Sequence, residues 1–121
     1  MREAITGSAV GGPYSPAIVA EGTFVFVAGQ GPLADGVYVE GSIADETRLT
    51  LENVGRLLEE AGSGFEHVVR CGVWLVDLAD FPELNGVYET FFPEPRPARA
   101  TVRADLIVGK VEIDCIAIVP V

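Results

Sequence analysis

The chain has 121 residues, which fits one domain, residues 1–121, with its own hydrophobic core and is too short for two. Its formal net charge is −10, with 8 Lys and Arg residues against 18 Asp and Glu residues, which argues against a nucleic-acid partner because such binding needs cations that neutralise phosphates. No apolar run approaches the roughly 18 residues of a membrane-spanning helix, so we expect no membrane partner.

The first forty residues are predicted to form short strands separated by turns rich in glycine and proline. Residues 11–16, with the sequence Gly-Gly-Pro-Tyr-Ser-Pro, form a loop by this criterion. The predicted strands cover residues 2–6, 17–20, 23–28 and 37–39.

A helix is predicted to open at Ser42. The Ser42 side chain can accept a hydrogen bond from the first turn, and Asp45 and Glu46 lie where the positive end of the helix dipole favours acids. Gly62 is suited to end the helix, because glycine readily adopts the left-handed conformation found just after a helix. Residues at helical spacing define the buried face: Thr47, Leu51, Val54, Leu58 and Ala61.

The second half of the chain is predicted to add a long strand, a helix and two closing strands. The strand covers residues 67–77 and is apolar on both faces, which indicates cover on both sides. The helix begins at Asp80, where Asp80 and Glu83 form a capping box and Pro82 falls in the first turn. The closing strands cover residues 100–106 and 111–119, joined by a turn near Gly109.

This order of elements predicts an α+β fold with one mixed sheet and both helices packed on one face. The strands are also apolar on the face that the helices leave uncovered. Hydrophobic residues make up 49 % of the chain, and a small domain has little interior in which to bury them. We therefore predict that the second face of the sheet is buried between subunits.

No metal or cofactor site is predicted. Cys71 and Cys115 lie in apolar strands, where a free cysteine behaves as a small buried hydrophobe. His67 is the only histidine and no Cys-x-x-Cys pair is present, so zinc ligation is not expected. Residues 1–5 contain no apolar core typical of a signal peptide, and we expect a reducing, cytoplasmic compartment.

Arg99 is the residue that points most directly to a ligand. The preceding residues Arg96-Pro97-Ala98 predict a proline-stiffened loop that aims the side chain. A guanidinium is planar, and its fork of N–H donors matches a carboxylate. In so acidic a chain, Arg99 has either an acidic structural partner or an anionic ligand, and the sequence pattern alone leaves both open.

Five short fragments together carry a resemblance that none of them carries alone. They are Gly12-Pro13-Tyr14-Ser15, Ala28-Gly29-Gln30, Asn85 with Tyr88, Pro97-Ala98-Arg99 and Val111-Glu112-Ile113-Asp114-Cys115-Ile116-Ala117. In this order and spacing, nearly the whole chain closely resembles the YjgF/RidA family. The resemblance implies a chorismate-mutase-like fold and a homotrimer with a ligand cleft at each subunit interface. It also implies hydrolysis of reactive enamine and imine acids, such as 2-aminoacrylate and 2-iminobutyrate, to 2-oxo acids and ammonia.

The resemblance implies roles for five residues and no cofactor. Arg99 matches the arginine that clamps the substrate carboxylate, and Glu112 matches the glutamate thought to hold or activate the attacking water. Tyr14 matches a tyrosine lining the pocket, Asn85 an asparagine on the second helix, and Gly29 lies in the turn that shapes the pocket wall. Without the resemblance, the sequence pattern predicts that Glu112 is a solvent-facing strand residue. Tyr14 would then be a side chain at an interface, and Asn85 a residue on the helix surface.

Ala28 and Thr101 depart from the family pattern. Ala28 stands where several members have serine, and Thr101 stands two residues after Arg99, where active imine hydrolases often have cysteine. Thr101 keeps a hydroxyl for substrate binding but loses thiol chemistry. Two alternatives stay open on these grounds: a trimer that binds a small carboxylate without catalysis, and a relative that acts on another enamine. The endoribonuclease role attached to this family is disfavoured by the net charge.

Overall fold

The protein is described by a computed structural model that covers residues 1–121. Two short 3-10 turns, Phe65–His67 and Leu78–Asp80, lie in the second half of the chain. The chain forms eight strands and two α-helices, in the order β1 (Arg2–Ile5), β2 (Ala17–Ala20), β3 (Thr23–Gln30), β4 (Leu33–Ala34), β5 (Val37–Tyr38), α1 (Ile43–Glu60), β6 (Val68–Leu75), α2 (Phe81–Phe91), β7 (Ala98–Arg103) and β8 (Val111–Val119).

The main sheet has four strands in the order β3-β8-β6-β7. Strand β7 runs parallel to β6, whereas β3 and β6 both run antiparallel to β8, so the sheet is mixed as predicted. Strands β1 and β2 form a separate antiparallel pair, and β4 and β5 form a short hairpin. The predicted turn is present at Gly109, where φ is +74°, but β7 and β8 lie on opposite sides of β6.

Both helices pack on one face of this sheet, which we call the helix face. Alternate residues of β8 point toward them, and the core combines these residues with apolar side chains of both helices. Cys71 and Cys115 lie opposite each other on β6 and β8 and are buried, as predicted. The helix face contributes Cys71, Val73, Leu75, Val111, Ile113, Cys115 and Ala117 to the core, and the helices contribute Leu51, Val54, Leu58, Leu84 and Tyr88.

The two helices differ in how well local signals predict their starts. Ser42 caps α1 by accepting a hydrogen bond from the Asp45 backbone N–H at 3.1 Å, and Gly62 has a φ of +82°, both as predicted. The predicted capping box of α2 is wrong, because Asp80 forms no capping hydrogen bond. Asp77 instead accepts from the Ala79 N–H at 2.9 Å and begins a 3-10 turn that continues into α2.

The opposite face of the sheet, the open face, carries a patch of apolar side chains. Phe26 is 73 % exposed, and Phe24 lies beside it with the ring centroids 6.5 Å apart. A groove of about 450 Å³ separates these rings from β2 and is lined mainly by apolar residues. Trp74 also lies on this face, with its indole ring over Gly72, where a Cβ would overlap it. The apolar second face predicted from the sequence is therefore present.

Glu46 has a different role from the one that its position in the first turn of α1 predicts. Its carboxylate is buried and accepts hydrogen bonds from the Tyr38 hydroxyl at 2.8 Å, the Gly41 N–H at 3.2 Å and the Lys110 N–H at 2.8 Å. The Lys110 ammonium adds an ion pair at 2.9 Å. Burial alone would raise the pKa of Glu46, but these hydrogen bonds lower it below its ordinary value of 4.5. The network joins the start of β8 to the loop before α1.

Neither helix has the length and apolar character needed to cross a membrane. No group of three or more His, Cys, Asp or Glu side chains is arranged to hold a metal ion.

Candidate active site

Arg99 is the second residue of β7 and projects toward α2. The prediction that it ends a loop is wrong, since β7 begins at Ala98 and pairs in parallel with β6. Arg99 lies opposite Cys71, whose side chain is in the core, so the guanidinium is on the helix face of the sheet. Its direction is fixed by sheet pairing, which constrains the backbone more firmly than a loop would.

Three aromatic rings surround the Arg99 guanidinium. Its Cζ atom lies 4.8 Å from the centre of the Tyr88 ring, 5.1 Å from that of Tyr14 and 5.5 Å from that of Phe81. All three distances fall within the range of cation–π attraction. Burial lowers the pKa of Arg99 below its ordinary value, because desolvation disfavours the charged form. The group nevertheless remains a cation at physiological pH.

The Arg99 guanidinium has no acidic partner within the chain. None of the four ion pairs includes it, so the alternative of an intrachain structural ion pair is excluded. Both terminal nitrogens, Nη1 and Nη2, are buried and form no hydrogen bond. Buried charged donors without partners are costly and rare, and a carboxylate is the group that this planar fork fits best. Both donors of the fork are therefore free to receive an anion.

Tyr14 is held beside Arg99 by the loop that contains it. The Ser15 N–H donates to the Pro97 carbonyl at 3.0 Å, and the Ser15 hydroxyl donates to the Arg96 carbonyl, which ties the loop to the start of β7. The Tyr14 hydroxyl accepts from the Gly11 N–H at 3.2 Å. A groove of about 570 Å³, lined by residues 4–16 and 94–96, leads past Tyr14.

Gly12 borders the site, which the sequence analysis did not predict. A Cβ atom there would lie 3.2 Å from the Tyr14 ring, 3.3 Å from Arg99 Nη2 and 3.5 Å from Asn85 Nδ2. These distances show that Tyr14, Asn85 and Arg99 converge at one point, as the resemblance implies. The absence of a side chain at Gly12 keeps that point open.

Asn85 and Thr101 each add an unpartnered polar atom on the helix face. Asn85 Oδ1 and Thr101 Oγ1 are buried and form no hydrogen bond. Asn85 lies on the face of α2 that also carries Phe81 and Tyr88, two aromatic residues for which the sequence analysis predicted no role in the site. Their spacing of four and three residues is the sequence signal for a shared helix face, and in the structure this face lies against Arg99.

Glu112 and Gly29 lie together, but away from Arg99. Glu112 pairs with Trp74 on β6, three residues from Cys71, so its side chain is on the open face of the sheet. A Cβ atom at Gly29 would overlap the Glu112 carboxylate, since it would lie 2.9 Å from Cδ. Within one subunit, the two residues that the resemblance makes catalytic are therefore on opposite faces of the sheet.

No cysteine is available as a nucleophile in this arrangement. Burial raises the pKa of Cys71 to about 12 and also raises the pKa of Cys115. A thiol reacts through its thiolate, and neither residue forms a thiolate near neutral pH.

Comparison with known proteins gives a consistent assignment. The family model described as Endoribonuclease L-PSP matches residues 5–119. Mmf2, a mitochondrial protein of Schizosaccharomyces pombe, is 45 % identical over 112 residues, which cover 88 % of each chain. The chain belongs to the YjgF/RidA family. The family prediction from the five fragments is thus confirmed.

Two further comparisons concern a curated relative and a solved structure. The 2-iminobutanoate/2-iminopropanoate deaminase of Bos taurus is 38 % identical over 111 residues, which cover 88 % of this chain and 80 % of the bovine protein. The crystal structure of RidA from the Antarctic bacterium Psychrobacter sp. PAMC 21119 aligns with a TM-score of 0.74 at 36 % identity and covers 91 % of both chains. The α+β fold with two helices and a mixed sheet is therefore that of solved YjgF/RidA structures.

Proposed function

We propose that this protein hydrolyses small enamine and imine carboxylic acids, such as 2-aminoacrylate and 2-iminobutyrate, to 2-oxo acids and ammonia. The observation that carries the proposal is the buried Arg99 guanidinium, whose two terminal nitrogens have no partner in the chain. The bovine relative is named for this reaction.

The reaction requires mainly that the protein position the substrate and a water molecule. An imine carbon is electrophilic, and more so when its nitrogen is protonated, so water can attack it directly once both are aligned. In our proposal Arg99 holds the carboxylate, while Tyr14 and Asn85 flank the ligand and Thr101 offers a hydroxyl. Glu112 positions the water and moves its protons, and Gly29 leaves room for the Glu112 carboxylate.

We further propose that the site is completed by a neighbouring copy in a homotrimer. Glu112 cannot approach the Arg99 ligand of its own subunit, because the sheet lies between them. The same open face that carries Glu112 also carries the exposed rings of Phe24 and Phe26. In our proposal each copy buries this apolar patch against its neighbour, the partner's Glu112 reaches the edge strand β7 that carries Arg99, and each interface then holds one site.

The direct test is pyruvate and ammonia formation from 2-aminoacrylate generated in situ, with and without the protein. Arg99→Ala is expected to lower turnover about 100-fold or more, because hydrogen bonds to a charged group contribute about 1.5–3 kcal/mol each. Arg103→Ala is the matched control, since Arg103 is an exposed arginine on the same strand. Equal activity in wild type and Arg99→Ala would refute the proposed mechanism.

A second candidate is a trimer that binds a small carboxylate without catalysis. The observation in its favour is that Arg99, Tyr14 and Asn85 converge within one subunit and leave the Arg99 donors without partners, without any contribution from Glu112. Titration with 2-oxobutyrate, followed by heat of binding, separates the two functions. Binding that depends on Arg99, with no acceleration of imine hydrolysis by the wild type, would identify the binding protein.

A further inference from the structure

The three rings around Arg99 form what we call the aromatic cage, made of Tyr14, Phe81 and Tyr88. The Tyr88 ring is fully buried and stacks on Phe92, with the two centroids 4.4 Å apart. Phe81 is the first residue of α2, and its ring is half-buried. Two of the three rings therefore come from α2, the element that also carries Asn85. The cage is a rigid surface around a side chain that is otherwise long and flexible.

Burial removes the hydration of a cation, and other interactions must replace the hydration free energy that is lost. An acidic partner or backbone carbonyls would compensate it, but they would occupy the same N–H donors that a ligand needs. Ring faces attract the cation without accepting its in-plane N–H groups. The cage thus stabilises the guanidinium of Arg99 while Nη1 and Nη2 remain without partners.

We infer that Phe81 and Tyr88 are positioning residues, which hold Arg99 in the orientation that receives a carboxylate. This inference rests on the proposed function insofar as the ligand is a carboxylate. Neither ring is required to touch the reacting atoms. Their effect is expected in the strength of ligand binding. A guanidinium released from the cage is more mobile, so it loses more side-chain conformational entropy when it binds a ligand.

Phe81→Leu is the main test, because Phe81 is only partly buried and the helix start tolerates leucine. We expect the KM for 2-aminoacrylate, and the dissociation constant for 2-oxobutyrate, to rise about tenfold, since one of three cation–π contacts is lost. The value of kcat is expected to stay within about twofold of wild type, because the lost interaction stabilises the bound substrate and the transition state equally. Phe81→Tyr keeps a ring face and should restore tight binding.

The matched control is Phe65→Leu. Phe65 is also half-buried and packs on Phe91 and Phe92, with centroid distances of 5.6 Å and 5.1 Å, but it does not contact Arg99. It should lower stability without changing KM. If Phe65→Leu raises KM as much as Phe81→Leu, the effect is structural and the inference is overturned.

A second readout separates this inference from the proposed function. In ligand-free protein, ring currents should shift the NMR signals of the Arg99 side chain upfield, and the signals are assigned by their loss in Arg99→Lys. Phe81→Leu should move them toward random-coil values, whereas Tyr88→Phe, which keeps the ring, should not. Unmoved signals in Phe81→Leu would overturn the inference, whatever reaction the protein catalyses. Moved signals in a protein without imine hydrolysis would support the cage and refute only the proposed function.

Discussion

Mixing two variants that should each be inactive tests the proposal that every active site of the trimer spans two subunits. Arg99→Ala removes the proposed carboxylate ligand and Glu112→Gln removes the proposed base, while each variant keeps the other residue. If a site combines Arg99 of one subunit with Glu112 of its neighbour, a mixed trimer contains some interfaces at which both residues are intact. If the site lies within one subunit, no mixture restores it.

The expected recovery follows from the geometry. A purified trimer that contains both variants has one interface, of about three, at which an intact Arg99 meets an intact Glu112 of its neighbour, so about one third of the sites are intact. The parent variants should each retain about 1 % of wild-type activity or less, given the loss of a charge-assisted contact in each. The mixed trimers should therefore be about 30-fold more active than either parent, or more.

The assay requires that the subunits exchange. The two variants are produced with different affinity tags, unfolded together, refolded and separated by tandem purification, and native mass spectrometry counts the subunits of each type. Ammonia release from 2-iminobutyrate is then measured on the mixed trimers. Activity no higher than that of the parents would show that Glu112 and Arg99 do not meet across an interface. High activity of Glu112→Gln alone would remove Glu112 from the mechanism.

Three further predictions concern stability, thiol chemistry and assembly. Glu46→Gln should lower the free energy of unfolding by about 2 kcal/mol near neutral pH, because buried N–H donors lose a charged acceptor. Since the folded-state pKa of Glu46 is lowered from 4.5, its stabilisation is present above that value and is lost as pH falls through the lowered pKa. Urea titrations at pH 7 and pH 3 should thus show a large difference between wild type and variant at pH 7 and a small one at pH 3; equal differences would contradict the Glu46 network. Iodoacetamide should leave Cys71 and Cys115 unmodified in native protein, because burial raises the pKa of both thiols, and mass spectrometry checks this. Rapid labelling of either cysteine with loss of activity would indicate a thiol role. Phe26→Asp should convert the proposed trimer to monomers and abolish the proposed imine hydrolysis, as measured by light scattering and the ammonia assay; a fully active trimer would show that the open face is not the interface.

Local signals along the chain predicted α1 well and α2 less well. The Ser42 cap, the spacing of Leu51, Val54 and Leu58, and Gly62 all act within a few residues, so a single sequence contains them. At α2 the acidic residues Asp77 and Asp80 compete for the same turn, and the structure uses the first of them. The spacing of residues in the sequence does not tell which of two nearby acidic side chains will cap the turn.

The pairing of strands in the sheet could not be predicted from the sequence. Arg99 precedes a run that looks like a strand from residue 100, but pairing with β6 extends the strand to Ala98. The register along β6 then decides that Arg99 and Glu112 are on opposite faces, and register depends on contacts between distant segments. Likewise, Glu46 looks like a helix-dipole acid until the loop before Lys110 folds back onto it.

The convergence of Tyr14, Asn85 and Arg99 was predicted through the family resemblance, not through periodicity. The pattern in α2 could have added Phe81 and Tyr88, because they share a helical face with Asn85. The spacing does not show what that face contacts, because the contact forms only when β7 places Arg99 against the helix.

The position of Trp74 gives the protein an intrinsic optical reporter. It is the chain's only tryptophan, it lies half-exposed on the open face, and it pairs with Glu112 across the strands. Indole emission shifts to shorter wavelength when water is removed from the ring. Fluorescence during dilution should therefore follow subunit dissociation as a red shift, without any attached dye. Because the ring neighbours Glu112, the same signal can report ligand entry at an assembled interface.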